Sequence, residues 1–222
     1  MAAWYGSKAA TGLSQAIVSM MPPHDVFVET HLGGGAIMKR KPPAQRSIGI
    51  DLNRRAIDSF ECGHPVELHH GCAHRFLAEF GFQGRELVYC DPPYVQSTRR
   101  SARRYRYDYT DADHVCLLGI LKSLPCQVMI SGYPSALYDG HLGGWRSLEI
   151  QVNNQACVVT EKLWFNFAPD RVHWASLAGR DFTHRQTVKR KAAGWGRRYR
   201  AMPRSERLAV LAAIMAVEAD GE

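Results

Sequence analysis

The run Leu87-Val88-Tyr89-Cys90 leads directly into Asp91-Pro92-Pro93-Tyr94, so an apolar stretch ends in a carboxylate, paired prolines and an aromatic ring. Prolines just past the carboxyl end of a strand fix φ and stiffen the turn. Asp91 and Tyr94 are therefore expected at the rim where α/β proteins bind ligands. The Asp91 carboxylate and the Pro92 carbonyl together could accept both N–H bonds of a single amino group. Such a pair suits a planar conjugated amine, whose nitrogen is a poor nucleophile until its hydrogens are held and its lone pair is turned out of the ring system. Adenine N6 is an amine of this kind, and so is cytosine N4. Tyr94 would stack on the face of a base rotated out of its duplex, as chemistry on buried base atoms requires. The plainer alternative is an ordinary strand-ending turn with an Asp cap.

A second group of residues could hold the other reactant. Val26-Phe27-Val28-Glu29 runs into Thr30-His31-Leu32-Gly33-Gly34-Gly35-Ala36, a strand pattern followed by a glycine-rich turn and a helix start. Glycine there lets backbone approach a cofactor closely. The spacing is neither G-x-G-x-x-G nor G-x-x-x-x-G-K-[ST], so it fits NAD and ATP less well than S-adenosylmethionine. Ser47-Ile48-Gly49-Ile50-Asp51-Leu52-Asn53 follows, and its strand ends in an acid about twenty residues after the glycine turn, the position that accepts hydrogen bonds from ribose hydroxyls. Asp51 is also a candidate helix cap before Arg54.

Short β-like runs alternate with helical patterns along the chain, the signature of a doubly wound α/β sheet. The expected strands are 26–29, 47–51, 66–68, 86–90, 127–131, 146–150 and 157–164. The expected helices are 11–21, 35–41, 54–60, 74–80, 111–124 and 204–217, the last with Leu208, Leu211, Ala212 and Met215 on one stripe. At 222 residues the chain fits a single catalytic domain, placed at 1–167, with a basic appendage and helix over 168–222.

Charge is uneven. Residues 1–93 carry nine Lys/Arg and nine Asp/Glu, residues 94–180 ten and seven, and residues 181–222 nine and five. A neutral first part and basic later segments point to a small-molecule half and a polyanion-facing half. Two basic segments lack an apolar period. One is the Ser97–Tyr109 loop, with Arg99, Arg100, Arg103, Arg104 and Arg106 interleaved with Tyr105, Tyr107 and Tyr109. The other is the segment 168–203, with Arg185, Lys189, Arg190, Lys191, Arg197, Arg198 and Arg200 beside Trp195 and Tyr199. Both are expected to face nucleic acid. Phosphate contacts give binding, and only contacts to base edges give sequence.

Six cysteines form no C-x-x-C pair, which points to a reducing compartment. The histidines and Cys72 of 64–74 lack a recognised metal spacing, so no metal is expected. The N-terminal residues lack a signal-peptide run and the longest apolar run, Leu208–Val217, is half a bilayer span. The expected setting is bacterial or phage-infected host cytoplasm, with no membrane partner.

Taken together, these residues resemble the Dam-like, or D12, family of DNA adenine-N6 methyltransferases. Trp4-Tyr5-Gly6-Ser7-Lys8 is similar to that family's N-terminal Trp-x-Gly-Gly-Lys, Glu29 to Gly35 to its Glu-Pro-Phe-x-Gly-x-Gly, Asp51 to its acidic strand end, and Asp91–Tyr94 to its catalytic tetrapeptide. Thr160-Glu161-Lys162-Leu163-Trp164-Phe165-Asn166 resembles a late strand less specifically. The resemblance implies a Rossmann-like S-adenosylmethionine-dependent methyltransferase fold with a mostly parallel seven-stranded sheet and helices on both faces. It also implies S-adenosylhomocysteine as product and double-stranded DNA as partner, with single-stranded DNA or RNA as other candidates. Asp91, Pro92, Pro93 and Tyr94 would form the catalytic set. Trp4, Tyr5, Lys8, Glu29, Gly33, Gly35, Asp51, Leu52 and Asp91 would line the cofactor site. The chain departs from the family at Ser7, Thr30-His31 and Cys72, and only 39 residues separate Asp51 from Asp91, too few for an inserted recognition domain. A short or relaxed recognition sequence is expected. RNA adenine-N6 or DNA cytosine-N4 transfer, and a non-catalytic nucleic-acid-binding protein that kept the fold, are the alternatives.

Overall fold

A computed structural model describes residues 13–99, 106–153, 158–168 and 182–220. The elements, in chain order, are α1 (Leu13–Ser19), β1 (Val26–Glu29), α2 (Ala36–Arg40), β2 (Arg46–Asp51), α3 (Arg54–Asp58), β3 (Glu67–His70), α4 (Ala73–Glu79) and β4 (Glu86–Cys90). A 3₁₀ turn at Gln96–Thr98 precedes α5 (Asp111–Ser123), β5 (Gln127–Gly132), α6 (Ala136–His141), β6 (Arg146–Asn153) and β7 (Val158–Phe165). Two helices follow, α7 (Phe182–Ala201) and α8 (Arg204–Asp220).

The strands form one seven-stranded sheet in the order β3-β2-β1-β4-β5-β7-β6. Every pairing from β3 to β5 is parallel, and β7 runs antiparallel to both β5 and β6. The central strands β1, β2 and β4 read as near-continuous apolar runs because both faces of a parallel sheet are covered; β4 is buried at every position. Side chains alternate between faces. Val28, Ile48, Ile50, Val88, Val128 and Ile130 pack with Leu117, Leu118 and Leu121 of α5 on one side. Phe27, Leu87, Tyr89 and Met129 pack with Leu13 and Ile17 of α1 and Ile37 and Met38 of α2 on the other.

The chain leaves β1 towards β2 and β3 on one side and returns as β4 on the other, so the order reverses between β1 and β4. Ligands in open α/β sheets bind outside the carboxyl ends of the strands at such a switch point. Both chemistry-bearing turns read from the sequence, Thr30–Gly35 after β1 and Asp91–Tyr94 after β4, leave the sheet there.

Three elements differ from expectation. Helix α6 is a six-residue helix entered through Ser135, too short and too mixed to show a period. β6 runs on to Asn153, past the expected end at Ile150, because it pairs along all eight residues of β7, from Arg146↔Phe165 to Asn153↔Val158. The basic segment expected as a nucleic-acid-facing appendage contains the 20-residue helix α7: no proline interrupts 182–201, and most of its residues are straight-chain or Ala, which favour helix. Helix α8 lies against α1 and β6, with Leu211 packed on the core. No described helix is long and apolar enough to cross a membrane.

Candidate active site

The strand ends bring acidic side chains together. Glu29 closes β1, Asp51 closes β2 and Asp91 follows β4. Glu29 is buried and its Oε2 accepts the Met38 N–H at 2.9 Å, tying β1 to the first turns of α2. Burial first, and then the charges of Asp91 and Asp51, push its carboxyl well above the usual range, against the pull of the Met38 amide. Asp51 Oδ2 accepts the Gly33 N–H at 2.8 Å and its Oδ1 accepts the Asn53 N–H at 2.7 Å. Burial raises the Asp51 pKa while those amides oppose the rise. One carboxylate thus pins the glycine turn to the neighbouring strand end. The helix cap read as an alternative for Asp51 falls to Asn53, whose side chain accepts the Arg55 N–H.

Asp91 is held from the far side. Ser131 on β5 donates to Asp91 Oδ1 at 2.9 Å and lies 2.9 Å from the Tyr89 hydroxyl, so a buried hydroxyl pair orients the carboxylate. Tyr94 is packed: it is 6% exposed, its hydroxyl donates to Glu161 of β7, and its ring meets Tyr133 edge-on at 4.4 Å. The open stacking face expected for Tyr94 is therefore largely covered in this arrangement, because a buried phenol takes a carboxylate acceptor that β7 carries to the rim. Ser131 and Glu161 were invisible as site residues in the sequence, since nothing local ties them to residues 40 and 67 positions away.

Arg99 also differs from expectation. Read as an exposed phosphate contact, its side chain is 7% exposed; it donates to the Tyr94 carbonyl and pairs with both carboxylate oxygens of Asp108. A bidentate carboxylate within reach outcompetes solvent for a planar guanidinium, and Arg99 thereby anchors the base of the loop rather than serving its outer face. Arg106 and Tyr107 are exposed. Arg100, Arg103, Arg104 and Tyr105 lie outside the described residues, as do Trp4, Tyr5 and Lys8.

The Thr30-His31 departure from the family pattern has a structural reason. The Thr30 hydroxyl donates to Cys90 Sγ at 3.0 Å and lies 2.8 Å from His31 Nδ1, while His31 Nε2 lies 3.0 Å from the Tyr109 hydroxyl. With the Thr30 proton on sulfur, His31 donates from Nδ1 and accepts Tyr109 O–H at Nε2. Tyr109 also lies 3.3 Å from His74 Nδ1, and His74 Nε2 donates to the Asp113 carbonyl. The polar chain joins the β1 turn, α4 and the end of the Arg/Tyr loop. Burial, and then the charges of His74 and His114, lower the His31 pKa to about 3; burial lowers that of His114 to about 4.

Both imidazoles stay neutral in the fold and would titrate near 6.5 once unfolded. The unfolded chain then binds more protons below pH 6.5, so stability present above that pH is lost as the pH falls towards 4 and then 3. Urea midpoints at descending pH should fall below pH 6.5, and the fall should be shallower in a His31→Gln/His114→Gln variant. Parallel profiles for the two proteins would exclude these residues as its source.

The fit of an S-adenosylmethionine-like ligand can be judged from the acids and the glycines. The acids at the end of β2 and just past β4, Asp51 and Asp91, favour a cation beside them. Gly33 has φ 51°, and a Cβ there would meet nothing within 4 Å, so the turn beside Asp51 faces open space. Leu52, next to Asp51, is 43% exposed, an apolar surface for a flat ring. Among the described residues no three His, Cys, Asp or Glu side chains are grouped as metal ligands would be. Gly33, Asp51, Leu52 and Asp91 fit the ligand; Glu29 supports the turn from beneath.

No family model matches the sequence and no curated protein matches it. Solved structures with a similar fold include the precorrin 8w decarboxylase of Methanobacterium thermoautotrophicum, 14% identical over 70% of this chain and 89% of that one, with a TM-score of 0.47. The N-methyltransferase NodS of Bradyrhizobium japonicum is 10% identical over 71% and 94%, TM-score 0.45. A dimethyladenosine transferase of Plasmodium falciparum is 12% identical over 68% and 60%, TM-score 0.42.

Proposed function

We propose that this protein transfers a methyl group from S-adenosylmethionine to the exocyclic amine of a nucleic-acid base, N6 of adenine in DNA. The observation that carries the reading is the placement of Asp91-Pro92 at the end of β4, across the switch point from the Gly33–Gly35 turn and Asp51. The cofactor supplies an electrophilic methyl group on a sulfonium. Asp51 accepts the ribose hydroxyls, Leu52 covers the adenosine ring, and the bare backbone of Gly33 lets the ligand approach. Asp91 and the Pro92 carbonyl each accept one N–H of the target amine, which localises the nitrogen lone pair; the proton lost on transfer passes from the amine to the acceptor and on to solvent. Ser131 fixes the orientation of the Asp91 carboxylate, and half-buried Tyr133, against the packed Tyr94 ring, flanks the base. The Arg/Tyr loop, through Arg106, and the exposed cations of α7 supply phosphate contacts.

The test is incubation of purified protein with labelled S-adenosylmethionine and duplex DNA, single-stranded DNA or RNA, followed by nucleoside digestion and mass spectrometry. N6-methyladenine from duplex DNA is the expected product. Greater labelling of RNA, or N4-methylcytosine, moves the substrate; no labelling of any polymer rejects the transfer.

Asp51→Ala should raise the dissociation constant for S-adenosylhomocysteine about tenfold or more, since it removes charge-assisted bonds worth about 1.5–3 kcal/mol. Calorimetric titration measures it. An unchanged constant would take Asp51 out of the ligand site.

A further inference from the structure

Helix α7 holds seven Lys/Arg and no acid. The whole chain has 28 Lys/Arg against 21 Asp/Glu, so without α7 the remainder balances at 21 of each. The net charge of the protein, +7, therefore resides in one helix. None of the side chains described on α7 is buried, and none of the other described elements packs extensively on it. Among the described residues, none of its cations pairs with a carboxylate.

Such a helix is costly by itself. It carries like charges three apart at Arg197 and Arg200, its thin apolar row of Val188, Ala192, Trp195 and Tyr199 buries nothing fully, and among the described residues no ion pair supports it. A polyanion laid along it would remove the repulsion. One side also carries an aromatic surface. Trp195 is 58% exposed, the Arg198 guanidinium sits 5.4 Å from its ring centroid, and Arg190, Lys191 and Gly194 of the same helix lie around it with open space between them. A Cβ on Gly194 or Gly196 would meet nothing within 4 Å. No described packing calls for these helix-weakening residues, and they add no side-chain bulk on either side of the indole.

We propose that α7 is a sequence-independent nucleic-acid tether, separate in charge from a neutral remainder of the chain: its Lys and Arg take backbone phosphates and Trp195 takes an unpaired base. This rests on the nucleic-acid reading above and assigns the bulk of polymer affinity to one element. Arginine and lysine on phosphates release counterions and so carry a salt dependence, whereas stacking on indole is tolerant of base identity.

The experiment is fluorescence anisotropy of the full chain, without cofactor, on a fluorescein-labelled duplex of about 30 base pairs and on oligothymidylate of similar length. In the variant with Lys189, Arg190, Lys191, Arg197 and Arg198 all changed to Gln, both probes should bind about tenfold or more weakly, and the log–log salt slope on duplex should flatten by up to about 4. Trp195→Ala should weaken oligothymidylate selectively. Wild-type helical circular dichroism should rise on adding either probe. Wild-type binding with no salt slope, or equal affinity in the neutralised variant, overturns the tether whatever the enzyme does. Loss of binding on neutralising α7, in a protein that labels no polymer, leaves the tether standing and rejects only the transfer.

Discussion

Changing Asp91 to Ala should lower methyl transfer about 10³-fold or more, roughly 4 kcal/mol of transition-state stabilisation, while leaving the fold and nucleic-acid binding in place. Conjugation keeps the N6 lone pair in the ring, and the carboxylate is the stronger of the proposed acceptors that draw it out. The Pro92 carbonyl alone accepts a single N–H. Asp91 lies beyond β4 rather than inside it, and it accepts from the Ser131 hydroxyl, which can rotate to the Cys90 carbonyl 3.3 Å away when the acid is gone. Initial rates at saturating cofactor and DNA, with thermal melts of both proteins, measure the effect. Activity within about threefold of wild type would remove Asp91 from the mechanism.

Gly35→Ala should destabilise the fold by about 2–5 kcal/mol, whereas Gly33→Ala should cost about 1–2 kcal/mol and act chiefly on cofactor affinity. Both glycines are left-handed, φ 66° and 51°, which costs any L side chain about 1–2 kcal/mol. At Gly35 a methyl group would also sit 2.2 Å from Cε2 of the Phe60 ring, and overpacking adds about 1–3 kcal/mol. At Gly33 the added methyl meets no atom within 4 Å and occupies only the space proposed for ligand. Urea midpoints and S-adenosylhomocysteine titrations on both variants separate these effects. Equal stabilities would mean that Phe60 swings aside; equal cofactor affinities would mean that the ligand does not approach Gly33.

Elements whose identity lies in local pattern were the legible ones. The buried strands β1, β2, β4 and β5 stand within a residue of their apolar runs, and α5 begins at Thr110-Asp111, where Thr110 and Asp113 form a capping box. Helix α6 escaped because six residues carry less than two turns of pattern. Helix α7 escaped because its thin apolar row, Val188, Ala192, Trp195 and Tyr199, is outweighed by seven cations and buries none of its described side chains. Arg99 was counted with its neighbouring arginines because the basic run reads as one unit; only its reach to Asp108 sets it apart.

By itself the sequence determined the chemical types and the two turns that carry them: a strand ending in Asp91-Pro92-Pro93-Tyr94, a strand ending in Glu29 before glycines, and a strand ending in Asp51. These are properties of neighbouring residues, since a period-two or buried run followed by proline or glycine fixes where a strand stops. The tertiary structure alone decided that β1 and β4 lie side by side, that Ser131 and Glu161 reach Asp91 and Tyr94, and that His31, Tyr109 and His74 form one chain. Those pairings join residues up to 78 positions apart. They follow from how the strands are ordered in the sheet, for which no short stretch of residues carries a signal.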